Sequence, residues 1–211
     1  MPTTMGDRAK FIGFKRHCIA TDGEGVTTLA AFWGCPLRCK YCLNPQSLRE
    51  ETKCTEYTPE ELYERVKIDD LYFVATCGGV TFGGGEPLLQ TDFIESFRSL
   101  CGDRWRIYAE TSLNVSAEAV KKASELVDGF IVDVKDMNPD IYKGYTGREN
   151  TRVFENLKLL LDLSGAENVL IRLPLISGYN TEACRKSSRR LLEKMGFTRF
   201  DEFTYKLPEN K

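Results

Sequence analysis

The stretch Gly79-Val-Thr-Phe-Gly-Gly-Gly-Glu-Pro-Leu-Leu-Gln-Thr-Asp-Phe-Ile-Glu-Ser-Phe-Arg-Ser-Leu100 contains one complete strand–loop–helix unit. Its first four residues have strand character, and the glycines with the Glu-Pro pair interrupt that pattern. Phe93, Phe97 and Leu100 then repeat at helical spacing, which predicts a buried helix stripe. The same alternation recurs about six times along the chain, with further strand candidates at Thr27 to Trp33, Arg106 to Glu110, Phe130 to Val134, Val169 to Leu173 and Phe200 to Tyr205.

This alternation predicts an α/β fold in which parallel strands form a partial (β/α)6 TIM-like barrel. Phe11 to Ala20 predicts an extra N-terminal strand, joined to the first barrel strand by the turn Asp22-Gly23-Glu24-Gly25. Thr58-Pro-Glu-Glu61 is a strong helix start, with Thr as the N-cap and Glu at the third helical position. Nothing reads as a linker or an internal repeat, so we expect a single domain over residues 1–211.

Three cysteines follow the first barrel strand with the spacing Cys35-x-x-x-Cys39-x-x-Cys42, in a chain with a single histidine. Three thiolates can hold three irons of a [4Fe-4S] cluster and leave the fourth iron open to another ligand. A structural zinc site takes four closed ligands, and no second ligand pair is present. A disulfide framework fits the even cysteine count, but no signal peptide precedes it. Spacing alone leaves both alternatives open.

Other polar motifs fall at the C-terminal end of a predicted strand: Gly83-Gly-Gly-Glu-Pro87, Glu110-Thr111, Asp133-Val-Lys135 and Arg172. Loops after the strands of a parallel barrel carry its chemistry, so we expect these motifs to share one rim with the cysteines. The glycines let the backbone approach a ligand, and the following Glu adds a negative charge. Asp133 and Lys135 point to one side of a strand, where an edge ion pair would also explain them.

Four segments resemble motifs of a known family: Asp22-Gly-Glu-Gly25 is similar to DGPG, Trp33 to Cys42 to a cluster loop, Gly78 to Gln90 to GGVTFSGGEPLLQ, and Ile171 to Asn180 to IRxPxIPGYN. The family is the radical S-adenosylmethionine (SAM) superfamily, and within it the activating enzymes of glycyl radical enzymes. The motifs run through most of the chain in the same order. The resemblance implies that one [4Fe-4S] cluster binds to Cys35, Cys39 and Cys42.

The resemblance also assigns roles to the rim residues. It implies that the backbone of Gly84, Gly85 and Glu86 receives the ammonium group of SAM. It also implies that Lys135 binds the SAM carboxylate, Tyr41 the adenine edge and Arg172 a polar part of SAM. Glu110, Thr111 and Asp133 match the positions of a monovalent-cation site and an acidic active-site side chain. Asp22 matches a position that faces the substrate.

By this resemblance, the chain is an oxidoreductase that cleaves SAM reductively to a 5′-deoxyadenosyl radical and abstracts hydrogen from a glycine of a glycyl radical enzyme. A flavodoxin or ferredoxin would supply the electron under anaerobic conditions. One alternative is a radical SAM enzyme for a small molecule or peptide, similar to 7-carboxy-7-deazaguanine synthase or a peptide maturase. A second alternative is a non-catalytic iron–sulfur or zinc protein.

Several positions depart from the family pattern. Leu43 replaces a His, Glu24 a Pro, Gly83 a Ser and Glu110 an Asp, and the last change bears on the cation site. The family's terminal LPYH is replaced by Thr204-Tyr-Lys206. Many activating enzymes insert a ferredoxin-like module with eight more cysteines after the cluster loop, whereas this chain has only Cys54 and Cys77 there. We therefore expect one cluster and no ferredoxin-like insert.

Composition excludes other classes of partner. The net charge of −2 and the pI near 5.7 provide no cationic field, which argues against nucleic acid. No run of about 18 apolar residues is present, so we expect no membrane span. The five cysteines outside the motif lack pairing or ligand spacing, which indicates a reducing cytoplasm. The substrate, the reductant and the oligomeric state are left open by the sequence.

Overall fold

The computed structural model describes residues 8–19 and 21–205. Its strands are β1 Ala9–Ile19, β2 Val26–Phe32, β3 Thr55–Tyr57, β4 Gly79–Gly84, β5 Arg106–Thr111, β6 Gly129–Asp133, β7 Val169–Leu175 and β8 Arg199–Thr204. In the described residues they form one eight-stranded sheet in the order β3-β1-β2-β4-β5-β6-β7-β8. β3 and β8 are its edges, so the sheet is open rather than closed into a barrel.

The sheet confirms the predicted partial (β/α)6 barrel. The six strands from β2 to β8, without β3, pair in parallel, and β1 pairs antiparallel with β2 as the extra N-terminal strand. This strand begins two residues before the predicted Phe11 and ends at Ile19, while Ala20 lies outside the described residues. The sequence did not reveal β3, because three residues are too few to show a strand period.

Helices cover the outer face of the sheet: α1 Pro59–Val66, α2 Asp70–Thr76, α3 Thr91–Cys101, α4 Ala117–Leu126, α5 Pro139–Thr146, α6 Thr151–Ser164 and α7 Glu182–Met195. The predicted capping box at α1 is confirmed. Thr58 Oγ1 accepts a hydrogen bond from Glu61 N at 3.2 Å, and Thr58 N donates to Glu61 Oε2 at 2.8 Å. No helix of the described residues is long and apolar enough to cross a bilayer.

One predicted stripe needs correction. Phe93 and Phe97 are buried under α3, but Leu100 is 39% exposed. The buried row continues instead through Cys101, which lies four residues after Phe97 and therefore on the same helix face.

The strands separate an apolar outer face from a polar inner face. On β5, Ile107 and Ala109 belong to the helix-facing cores, so the alternate residues Tyr108 and Glu110 point inward. The same alternation brings Arg172 of β7 to the inner face, where it meets Glu110. The inner face therefore carries the titratable groups at the carboxyl ends of the strands.

Candidate active site

A cavity lies at the carboxyl ends of the parallel strands, and it collects most of the residues that the sequence singled out. Those that line it are Cys35, Cys39, Cys42, Gly84, Gly85, Glu86, Glu110, Thr111, Asp133 and Lys135. They come from the loop after β2, the turn after β4, the end of β5 and the end of β6, so sheet topology rather than sequence proximity brings them together.

The cysteine loop is held from both sides by backbone hydrogen bonds. On one side, Gly34 N donates to Ser47 O at 3.0 Å. On the other, Arg38 N donates to Thr146 O at 2.9 Å and Lys40 N to Tyr145 O at 3.1 Å. These bonds fix the backbone that presents the three thiols to the cavity.

All three thiols of the loop are free and partly exposed. Burial raises the pKa of Cys35 to about 12 and that of Cys39 to about 11. Burial therefore disfavours the charged thiolates of Cys35 and Cys39, a cost that binding of a metal cation would offset. Three free soft ligands on one cavity wall are the donor set that a cluster with one open iron requires.

The glycine-rich turn after β4 packs against the backbone of the cysteine loop. Gly85 N donates to Phe32 O at 2.9 Å, and Glu86 N donates to Gly34 O at 2.7 Å. A Cβ at Gly85 would lie 2.1 Å from Gly34 O, and Gly84 has a φ of +83°. Glycine is therefore required at both positions, by close approach in the first case and by left-handed backbone in the second.

The Glu86 carboxylate turns inward and ties this turn to the end of β5. It is buried and accepts hydrogen bonds from Thr111 Oγ1 at 2.6 Å and Ser112 Oγ at 2.7 Å, and from the backbone N–H groups of Ser112 at 3.0 Å and Leu88 at 3.2 Å. Burial raises the pKa of Glu86, and these four donors act in the opposite direction. The backbone of Glu86 therefore lines the cavity, whereas its carboxylate is hydrogen-bonded within the protein.

Arg172 and Asp22 do not line the cavity but adjoin it through Glu110. The Arg172 guanidinium forms an ion pair with Glu110, lies 3.4 Å from Asp22 Oδ1 and donates to Thr21 O at 2.6 Å. Burial raises the pKa of Glu110, and the Arg172 charge opposes that rise. The carboxylate expected to bind a cation is thus balanced by a guanidinium of the same chain.

Lys135 is buried and forms an ion pair with Asp133, with 2.9 Å between Nζ and Oδ2. Burial acts to lower the pKa of Lys135, but the Asp133 carboxylate and other nearby groups hold it well above its usual value. The anion that a buried lysine needs is therefore supplied by Asp133, the last residue of β6, two positions before Lys135 in the chain.

Tyr41 stands apart from the cavity wall. Its ring packs against Tyr145 and Tyr179, with centroids 6.2 Å and 5.6 Å away. Sequence reasoning missed Tyr205, which lines the cavity and places its ring 5.8 Å from Lys135 Nζ. Tyr205 directly follows the last strand, and this position was the sequence signal that could have placed it at the rim. Lys206, the last residue of the segment Thr204-Tyr-Lys206 that replaces the family's LPYH, lies outside the described residues.

Asn180 also escaped sequence reasoning, although it ends the last motif. Its side chain donates to Asp136 Oδ2 and Pro174 O, both at 3.1 Å, and accepts from Ile176 N at 2.6 Å. These bonds join the loops after β6 and β7, and they hold the backbone next to Lys135.

An open parallel barrel, a loop with three cysteines and a glycine-rich turn thus meet at one cavity. The family model described as "Radical SAM superfamily" matches residues 32–191, and the chain belongs to this superfamily. It is an enzyme of the radical SAM type, and the family implies a [4Fe-4S] cluster and SAM as cofactors.

Among curated proteins, the chain is similar to pyruvate formate-lyase 2-activating enzyme of Escherichia coli, with 31% identity over 84% of this chain and 70% of that protein. It is 30% identical to choline trimethylamine-lyase activating enzyme of Oleidesulfovibrio alaskensis, over 75% of this chain and 70% of the relative. These relatives are activating enzymes of glycyl radical enzymes.

Solved structures share the fold. Streptococcus suis SuiB bound to S-adenosylmethionine matches with a TM-score of 0.62 at 12% identity, over 82% of this chain and 39% of that one. Native anSMEcpe with bound AdoMet matches with a TM-score of 0.61 at 20% identity, over 84% of this chain and 51% of that one. The chain thus spans about two fifths to one half of the length of these two structures.

Proposed function

We propose that this chain cleaves SAM reductively at one [4Fe-4S] cluster and abstracts hydrogen from a glycine of a glycyl radical enzyme. One observation carries the proposal: three free thiols, a glycine-rich turn and the Asp133–Lys135 ion pair share one cavity. The activating-enzyme relatives support the choice of a protein substrate. We further propose a single domain without a ferredoxin-like insert, located in the cytoplasm.

In this proposal Cys35, Cys39 and Cys42 hold the cluster. When reduced, the cluster would supply one-electron cleavage of SAM, giving a 5′-deoxyadenosyl radical that takes a hydrogen atom from the substrate. The exposed backbone of the turn at Gly84 and Gly85 would bind the ammonium group of SAM. The protein contributes position and charge, because backbone hydrogen bonds fix the turn against the cysteine loop.

Lys135 would bind the SAM carboxylate and share its charge with Asp133. Because the SAM carboxylate would then also pair with Lys135, Asp133 would be held less tightly by the lysine. Asp133 would face the substrate together with Asp22 of the β1–β2 turn. Arg172 would bind a polar part of SAM from its place next to Glu110, and Tyr41 the adenine edge from the loop of the cysteines.

The predicted monovalent cation would have to compete with Arg172 for Glu110. Thr111 Oγ1 is likewise engaged, because it accepts a hydrogen bond from Leu113 N at 3.0 Å in addition to donating to Glu86. We therefore propose that SAM cleavage does not depend on K⁺, which activity assays in potassium-free and potassium-containing buffers measure directly.

The test begins with anaerobic reconstitution with iron and sulfide, reduction by dithionite with SAM, and chromatography of the products. We expect 5′-deoxyadenosine from the native chain and none from Cys39→Ala, whereas Cys101→Ala, which changes a buried thiol of α3, keeps the activity. SAM cleavage by Cys39→Ala would contradict the cluster assignment.

A second step tests the substrate by electron paramagnetic resonance of glycyl radical enzymes incubated with the active chain. A glycyl doublet supports the activating role. If 5′-deoxyadenosine forms but no candidate enzyme gains a glycyl radical, the substrate is a small molecule or peptide and the proposal for the partner is wrong.

A further inference from the structure

Three cations lie on the outer surface of the cysteine loop. Arg38 and Lys40 flank Cys39 in the chain and are exposed, while Cys39 itself is partly buried and lines the cavity. Arg148, which follows α5, is also exposed and donates from Nε to Pro36 O at 3.1 Å. We name Arg38, Lys40 and Arg148 the basic patch.

The basic patch is built from two chain segments that are bonded to each other. The backbone bonds from Arg38 to Thr146 and from Lys40 to Tyr145 join residues 38–40 to the end of α5. A Cβ at Gly147 would lie 3.9 Å from Arg38 Cβ, so the chain between the two segments passes directly beside Arg38. The patch is therefore part of the framework that holds the cysteine loop.

The charges of the patch are uncompensated by nearby acids. In the part of the chain that the structure describes, no carboxylate forms an ion pair with Arg38, Lys40 or Arg148. The adjacent Glu149 is paired with Lys143 at 2.6 Å. The guanidinium of Arg38 also donates to Cys35 O at 3.3 Å, which fixes a positive charge directly over the loop.

This local positive charge stands out because the whole chain carries a net charge of −2. Opposite charge on a partner would raise the rate of encounter and orient it towards the patch. A protein that docks there lies against the loop of the cysteines, whose thiols line the cavity.

We propose that the basic patch is the docking surface for an acidic one-electron carrier protein. The proposal rests on the proposed function, because it assigns the surface through which the cluster is reduced. One electron leaves the reduced carrier, which becomes oxidised by one electron, and enters the iron–sulfur cluster, which is reduced by one electron. No proton or atom is transferred in this step.

The test uses flavodoxin as the acidic probe. Its dissociation constant for the reconstituted chain is measured by isothermal titration calorimetry at low and at physiological ionic strength. The double variant Lys40→Glu/Arg148→Glu is compared with Lys121→Glu/Lys186→Glu, which makes the same charge change at exposed positions of α4 and α7. We expect the first variant to weaken binding by about tenfold or more at low salt, and the control by less than about twofold.

A second variant guards against damage to the cysteine loop, since Arg148 contacts Pro36. Lys40→Glu alone changes a side chain without a hydrogen bond or ion pair among the described residues, and it too should weaken flavodoxin binding. Dithionite-driven formation of 5′-deoxyadenosine should stay unchanged in Lys40→Glu and in the Lys121→Glu/Lys186→Glu control, because dithionite needs no docking surface.

Equal weakening by the patch variant and the control would overturn the proposal, because net charge alone would then explain binding. Unchanged binding in Lys40→Glu and in the double variant would overturn it as well. If the native chain forms no 5′-deoxyadenosine with dithionite, the proposed function fails, and the binding comparison still decides the docking surface separately.

Discussion

The Glu86 carboxylate offers the sharpest test of how the site is built, through the substitution Glu86→Gln. Glutamine keeps the size of the side chain but replaces one acceptor oxygen by an NH₂ group that only donates. In the structure each carboxylate oxygen accepts from one hydroxyl and one backbone N–H, that of Leu88 or that of Ser112. Either orientation of the amide therefore leaves one backbone N–H without an acceptor, the buried N–H of Leu88 or the half-buried N–H of Ser112.

An orphaned buried donor costs about 1–3 kcal/mol, and the remaining bonds lose the strength that the negative charge gave them. We expect Glu86→Gln to lower the free energy of unfolding by about 2–4 kcal/mol. The assay is urea unfolding of the cluster-free chain under anaerobic conditions. Glu125→Gln on α4 is the control, because its side chain is exposed, and it should change stability by less than about 0.5 kcal/mol. A loss as small as that in Glu86→Gln would refute the argument that its bonds hold the turn.

Three further predictions concern other parts of the structure. Gly85→Ala should destabilise the chain by more than about 2 kcal/mol in urea unfolding, because the added methyl meets Gly34 O. The control Gly144→Ala in α5 should instead stabilise the chain by up to about 1 kcal/mol, because nothing lies within 4 Å of the new methyl. Hydrogen bonds from Arg104 lower the pKa of Asp70 to about 2. The ionised Asp70 therefore stabilises the fold above about pH 4, and this stabilisation is lost as the pH falls towards 2. In unfolding measurements over this pH range, Asp70→Asn should not show that loss. Lys135→Ala should weaken SAM binding by about tenfold or more, measured by calorimetry, while iron and sulfide contents stay those of the native chain.

The six parallel strands of the barrel were predictable because they depend on local patterns, whereas β3 was not. Each strand of the barrel shows its apolar run and its following turn within a few residues, and the capping box at Thr58 is a signal of four residues. Most bounds moved by one or two residues, since sequence periodicity does not mark where pairing stops. The convergence of the loops followed from the parallel topology alone.

The partners of the charged groups were not predictable in the same way. Sequence reasoning gave the Glu86 charge to a ligand, but a strand register places Thr111 and Ser112 within reach of its oxygens. It assigned Arg172 to a polar part of SAM, which stays a prediction, and did not reveal that Arg172 also pairs with Glu110 of β5 across the intervening β6. Such contacts depend on which residues of separate strands lie at the same height, and this is set by the whole sheet.

The sequence by itself determined the class of this protein, because local periodicity encodes the βα units and four motifs follow one another in the order typical of the radical SAM superfamily. The tertiary structure alone decided how the charges of the site are balanced, which residues face the cavity and where the basic patch lies on the cysteine loop. The physical reason is that hydrogen bonds and ion pairs form between atoms a few ångströms apart in space, and residues as distant as Glu110 and Arg172 reach that distance only through the register of the folded sheet.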